Sequence, residues 1–131
     1  MSETAAEEKR LFEDKLASAL DEAWSKANYA LEQATNNSQE AEMSIRLAAE
    51  ALEYSSALFS LTHGLEDLDP QVKIGRKTET LELVKDSVDA LRQARELRGS
   101  SAAEAYTRLR TAADYLKRAY LNQVKNSSRQ A

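Results

Sequence analysis

Apolar residues recur along most of this chain at steps of three and four, the spacing that gathers side chains on one face of an α-helix. From Glu3 to Thr35, Leu16, Leu20, Ala23, Ala27, Leu31 and Ala34 keep that rhythm, with Phe12 and Trp24 beside them. A second helix is predicted from Gln39 to His63. Ile45, Ala48, Leu52 and Phe59 form one apolar line in it, and Leu47, Ala51, Tyr54, Leu58 and Leu61 form another, so a wide buried face is expected. The third helix is predicted from Thr78 to Arg98 on Leu81, Val84, Val88, Leu91 and Leu97, with a start anywhere between Pro70 and the residues after Gly75. Its opposite face, Glu82, Lys85, Asp89, Arg92 and Glu96, mixes signs as a solvated helix surface does. The fourth, Ala102 to Lys125, places Ala105, Tyr106, Leu109, Ala112, Ala113, Leu116, Tyr120 and Val124 on one side. Residues 126–131 read as a frayed tail.

The breaks between these segments carry the expected chemistry. Asn36-Asn37-Ser38 ends the first helix, and Asn37 or Ser38 can cap the second. Gly64 suits a left-handed C-terminal cap, and Asp69-Pro70 suits a helix start. Gly99 stops the third helix, and Ser101 with Glu104 fits a capping box for the fourth. The fold expected is all-α, a four-helix antiparallel bundle in up-down-up-down order, forming one domain over residues 1–131. No solenoid repeat is present.

One stretch stands apart from this regular pattern. Tyr54 to Leu65 holds no Asp, Glu, Lys or Arg, in a chain that is 31% charged. It needs cover on much of its circumference, from the chain's own helices or from a second molecule. Tyr54, Leu58 and Phe59 are therefore candidate contact residues.

Charge changes the picture further. Residues 1–69 hold five Lys or Arg and fifteen Asp or Glu, a net −10, whereas residues 70–131 hold thirteen and seven, a net +6. Such a division points to contact with nucleic acid, between the chain's own halves, or between copies of it. Arg108, Thr111, Tyr115, Arg118, Asn122, Lys125 and Arg129 follow helical steps and are expected opposite the Leu109/Leu116 core line. Glu7, Asp14 and Asp21 recur every seven residues on the first helix. In an up-down-up-down bundle these two helices would be neighbours and would present adjoining acidic and basic surfaces. Copies could then join through complementary patches.

Sites with chemistry are sparse. The chain has no cysteine, which excludes disulfides, thiolate metal sites and cysteine nucleophiles. Its acidic N-terminus lacks the apolar core of a secretory signal, and no apolar run reaches the length of a membrane span. His63 is the only histidine. The following Gly64-Leu65-Glu66-Asp67 puts acid where a histidine-phosphotransfer helix would carry cation, and a di-iron Glu-x-x-His motif does not occur. Glu50 and Glu53 lie one turn apart without a partner group to make them catalytic. Gly75 among cations is no phosphate loop.

The function expected is that of a cytoplasmic, non-enzymatic interaction, scaffolding or assembly protein without cofactor or metal. It would self-associate as a homo-oligomer through Tyr54, Leu58 and Phe59, with the acidic Glu7, Asp14 and Asp21 meeting the basic Arg108, Tyr115, Arg118 and Lys125. The alternative is a nucleic-acid-binding module in which the cations of the last helix follow phosphates and Tyr115 stacks on bases.

Overall fold

The computed structural model describes residues 2–76 and 79–130, and side chains over 4–76 and 79–127. Among the described residues there are four helices: α1 (Ser2–Thr35), α2 (Ala41–His63), α3 (Thr80–Leu97) and α4 (Ala102–Gln130). Among the described residues there is no strand. Thr78, the expected first residue of α3, and the Arg129 side chain lie outside the described residues.

The helix ends follow from the residues at them. Asn37 takes φ 50°, and the Ser38 N–H donates back to the Gln33 carbonyl at 3.0 Å, so asparagine supplies the left-handed turn that more often falls to glycine. Gly64 does the same for α2 at φ 65°, with the Leu65 N–H donating to Ser60 O at 2.9 Å. Ser101 Oγ accepts the Glu104 N–H at 3.3 Å, the expected cap of α4. Asp69-Pro70 does not start α3. Residues 68–76 are non-helical, and the helix begins at Thr80 after an extended Glu79. The backbone of α4 remains helical to Gln130, past its expected end at Lys125.

The direction of each helix can be read from side chains that bridge neighbours. Ser55 donates to Ala19 O (3.1 Å) and Tyr29 to Glu40 (2.8 Å), so residue numbers fall on α1 as they rise on α2. Ser87 donates to Ala112 O (2.8 Å) and Asn122 to Thr80 (2.8 Å), which makes α3 and α4 antiparallel. Glu53 meets Arg110, and Phe59 stacks near Tyr106 with centroids 6.4 Å apart, which makes α2 and α4 antiparallel as well. The C-terminal end of α1, the N-termini of α2 and α3 and the C-terminal part of α4 therefore meet at one end, where Ala34, Ala41, Thr80 and Asn122 line a common cleft.

Two expectations are corrected by this arrangement. Chain order is up-down-down-up, with α2 and α3 running the same way, because residues 64–79 are long enough to cross the bundle lengthwise. Around the bundle the helices follow the order α1, α2, α4, α3, so α1 and α4 stand on a diagonal and are not packed neighbours. The molecule is two short-looped helical hairpins, α1–α2 and α3–α4, joined by a crossing link.

One buried cluster draws on all four helices: Leu16, Leu20, Ala23 and Ala27; Ile45, Leu52 and Phe59; Leu83, Val84 and Leu91; Leu109, Ala113 and Leu116. Much of it is alanine, and Ser55, Ser56 and Ser87 are fully buried within it. Small side chains let the helices of each hairpin approach closely enough for Ser55 and Ser87 to reach a carbonyl of the partner helix. Phe12, expected beside the core, is exposed instead.

The charge division coincides with the hairpins. Among the described residues, three ion pairs between them set an acid of α1–α2 against a cation of α3–α4: Asp21 with Arg95 (2.9 Å), Glu53 with Arg110 (3.0 Å), and Glu53 with Lys117. Arg95 also lies over the Trp24 ring, 5.3 Å from its centroid. Part of the asymmetry is thus used inside one molecule.

Candidate interaction face

Helix α2 is apolar on two opposite sides. Ile45, Ala48, Leu52, Ser55 and Phe59 turn inward and are buried. At about 100° per residue, Met43, Leu47, Glu50, Tyr54, Ala57 and Leu61 fall within an arc of about 80° on the other side. All six are exposed, Tyr54 and Leu61 each to 59%. Their steps alternate four and three, the spacing of a coiled-coil seam, and five of the six are apolar or aromatic. A helix apolar on both faces and covered on one leaves its second face available for a partner.

The seam is bordered on the α4 side by Leu121, exposed to 64%. A shallow and largely apolar depression there is lined by Arg46, Ala49, Glu50, Glu53, Lys117, Tyr120 and Leu121. Burial alone raises the Glu53 carboxyl, but hydrogen bonds from Lys117 and Arg110 outweigh it and hold the group below the usual carboxylate range. Glu53 is therefore a fixed anion that pins α2 to α4 beside the seam. Within the seam, Glu50 Oε1 accepts from Arg46 Nε at 3.3 Å.

The expected contact residues separate. Tyr54 lies on the exposed face, whereas Leu58 and Phe59 are buried and belong to the core. Phe59 packs against Tyr106 and His63, with a 4.4 Å centroid distance to the imidazole. The second apolar line of α2 is likewise split: Leu47, Tyr54 and Leu61 point outward, contrary to the wide buried face expected. Met43 and Ala57 complete the exposed seam and were missing from the sequence-based contact set. Met43 lies four residues before Leu47 and Ala57 three after Tyr54, and that helical spacing was the available signal.

Glu7, Asp14 and Asp21 are exposed on α1, and Asp21 is engaged by Arg95. The stripe of α4 does not stand opposite the core. Thr111 is buried and Tyr115 half-buried, Asn122 bonds Thr80, and Arg118 donates to Gly75 O at 2.6 Å across the crossing link. Arg108 and Tyr115 line a groove beneath that link together with Asp69, Lys73, Asp86, Asp89 and Glu104, so Arg108 stands among carboxylates. Lys125 is exposed near the end of α4.

Among the described residues no group of three or more His, Asp or Glu is placed to hold a metal ion. Among them, too, no helix is long and apolar enough to cross a membrane. Comparison of the chain with protein-family models, curated proteins and solved structures returns no match in any of the three.

Proposed function

We propose that this chain is a cytoplasmic, non-enzymatic interaction or assembly protein that self-associates through the outward face of α2. The observation that carries the proposal is the exposed seam Met43–Leu47–Glu50–Tyr54–Ala57–Leu61, set directly opposite a complete core face on the same helix. Leaving so much apolar surface in water has no compensation within one molecule, and burying it against another helix recovers about 25 cal/mol per Å². The complementary acidic and basic surfaces add a second, salt-sensitive attraction between copies, with Glu7 and Asp14 on α1 and Lys125 on α4 the groups available for it. The absence of cysteine suits a reducing compartment. Nucleic-acid binding by α4 has less support, since Arg108 shares its groove with Asp69, Asp86, Asp89 and Glu104, and Arg118 is already bonded to the link.

The test is sedimentation equilibrium of the full chain from about 10 to about 500 μM, the weak range suited to a contact smaller than a standard interface. The wild type associates as concentration rises. The Leu47→Glu/Leu61→Glu variant stays monomeric with an unchanged circular dichroism spectrum, because both side chains point away from the core. A wild type that remains monomeric throughout refutes the proposal.

A further inference from the structure

We infer that the occupant of the α2 face is the α2 helix of a second copy, running antiparallel about a two-fold axis near residue 52. This inference rests on the self-association proposed above and specifies its geometry. The six seam positions are symmetric about that point. Met43 pairs with Leu61 of the other copy, Leu47 with Ala57, and Glu50 with Tyr54, each pairing occurring twice.

The register matches chemistry as well as spacing. The seam contains one acid and one hydroxyl, and the two-fold brings them together. The Tyr54 hydroxyl can donate to the Glu50 carboxylate of the other copy, whose Oε1 accepts from Arg46 while Oε2 is available. Every other layer joins apolar to apolar. A parallel, in-register pair would instead set Glu50 against Glu50, two like charges in a closing apolar seam.

Charge along the helix favours the same direction. Glu42, Arg46 and Glu50 lie in the first half of α2 and Glu53 just past its midpoint, while Tyr54 to Thr62 carries no charged group. Antiparallel pairing lays each acidic half along the uncharged half of its partner, and parallel pairing stacks the two acidic halves. Opposed helix dipoles act in the same sense. The seam from Met43 to Leu61 is about 27 Å long, enough for five turns of side-chain interdigitation. Leu121 beside it extends the covered surface onto α4.

Because the chain has no cysteine, directed disulfides can test this arrangement. Met43→Cys, Leu61→Cys and a control on the outer face of α3, Lys85→Cys, are each made in the full chain. They are then oxidised mildly, alone and in equimolar mixtures. A disulfide needs Cα atoms within about 7 Å. The expected result is a strong 43–61 cross-link in the mixture, with 43–43, 61–61 and 85–85 products no more abundant than chance collision gives. Prominent 43–43 and 61–61 products overturn the antiparallel register while leaving self-association standing. No seam product above the Lys85→Cys control, together with monomeric wild type in the centrifuge, overturns both.

Discussion

Replacing Ser87 tests whether small side chains set the spacing of the second hairpin. Ser87 has no exposed surface, and its Oγ donates to Ala112 O across 2.8 Å. Ser87→Ala removes the hydroxyl without stranding a donor, and the Ala112 carbonyl still lies within the helical bonding of α4. The expected loss is that of a neutral hydrogen bond, about 0.5–1 kcal/mol. Ser87→Leu also loses the bond and forces a branched side chain between helices already in contact, beside the buried Leu83, Val84 and Leu91. Overpacking of this kind costs about 1–3 kcal/mol, so the combined loss is about 3 kcal/mol. An unfolding entropy of about 2.1 cal/mol/K per residue amounts to about 0.28 kcal/mol/K for a chain of this length. The melting midpoint should therefore fall by about 2–4 °C for Ser87→Ala and about 11 °C for Ser87→Leu, followed by far-UV circular dichroism. A Ser87→Leu protein melting within about 2 °C of wild type would refute the argument, because it would mean the α3–α4 contact has room to spare.

The left-handed Asn37 gives a prediction of opposite sign: Asn37→Gly relieves the Cβ at φ 50° and should raise stability by a few tenths of a kcal/mol, read as a higher denaturation midpoint in urea. His63 predicts a pH dependence. Its Nε2 is buried without a hydrogen-bond partner, and burial, followed by the nearby Arg98, holds the imidazole below its usual pKa despite the opposing charge of Glu13. The unfolded chain thus binds this proton more readily than the folded one. Its contribution is intact above the unfolded value of about 6.5 and is lost as pH falls through 6.5 toward the folded value. Thermal midpoints measured across that window should show a slope that His63→Leu removes; an unchanged slope would assign the effect to other groups.

Most helix spans and the caps at Gly64 and Ser101 were legible because they depend on local chemistry. By contrast, α2 begins after Glu40 with no side-chain cap there, rather than at the expected Asn37 or Ser38, and Asp69-Pro70 starts no helix. The period of Leu16, Leu20, Ala23 and Ala27, the glycine at 64 and the Ser101 cap each act within a few residues. The face that α2 buries was not legible in the same way. Hydropathy favours Tyr54 and Leu61 over Ser55 and Ser56, yet the serines go inside, because a close helix contact rewards small volume and Ser55 finds a carbonyl at Ala19. Tyr54 and Phe59 look alike in composition and separate only by their angle around the helix. The relative direction of α2 and α3 depends on where residues 64–76 travel. That path is set by contacts such as Arg118 to Gly75 O, between residues far apart in the chain.

The crossing link has a consequence for how the chain can be divided. A cut between Glu66 and Gln71, in its exposed non-helical part, would sever no helix. It would separate an acidic piece from a basic one, each already a closed hairpin with its own loop and each lacking half of the common core. Two such fragments are built to find one another: opposite net charge draws them together, and Leu52, Phe59, Leu91 and Leu116 reward docking. The same architecture lets the α3–α4 hairpin of one copy dock on the α1–α2 hairpin of another if the link straightens, an exchange that requires no contact the single molecule lacks. The strap that crosses the bundle is thus what keeps the two complementary pieces in one molecule.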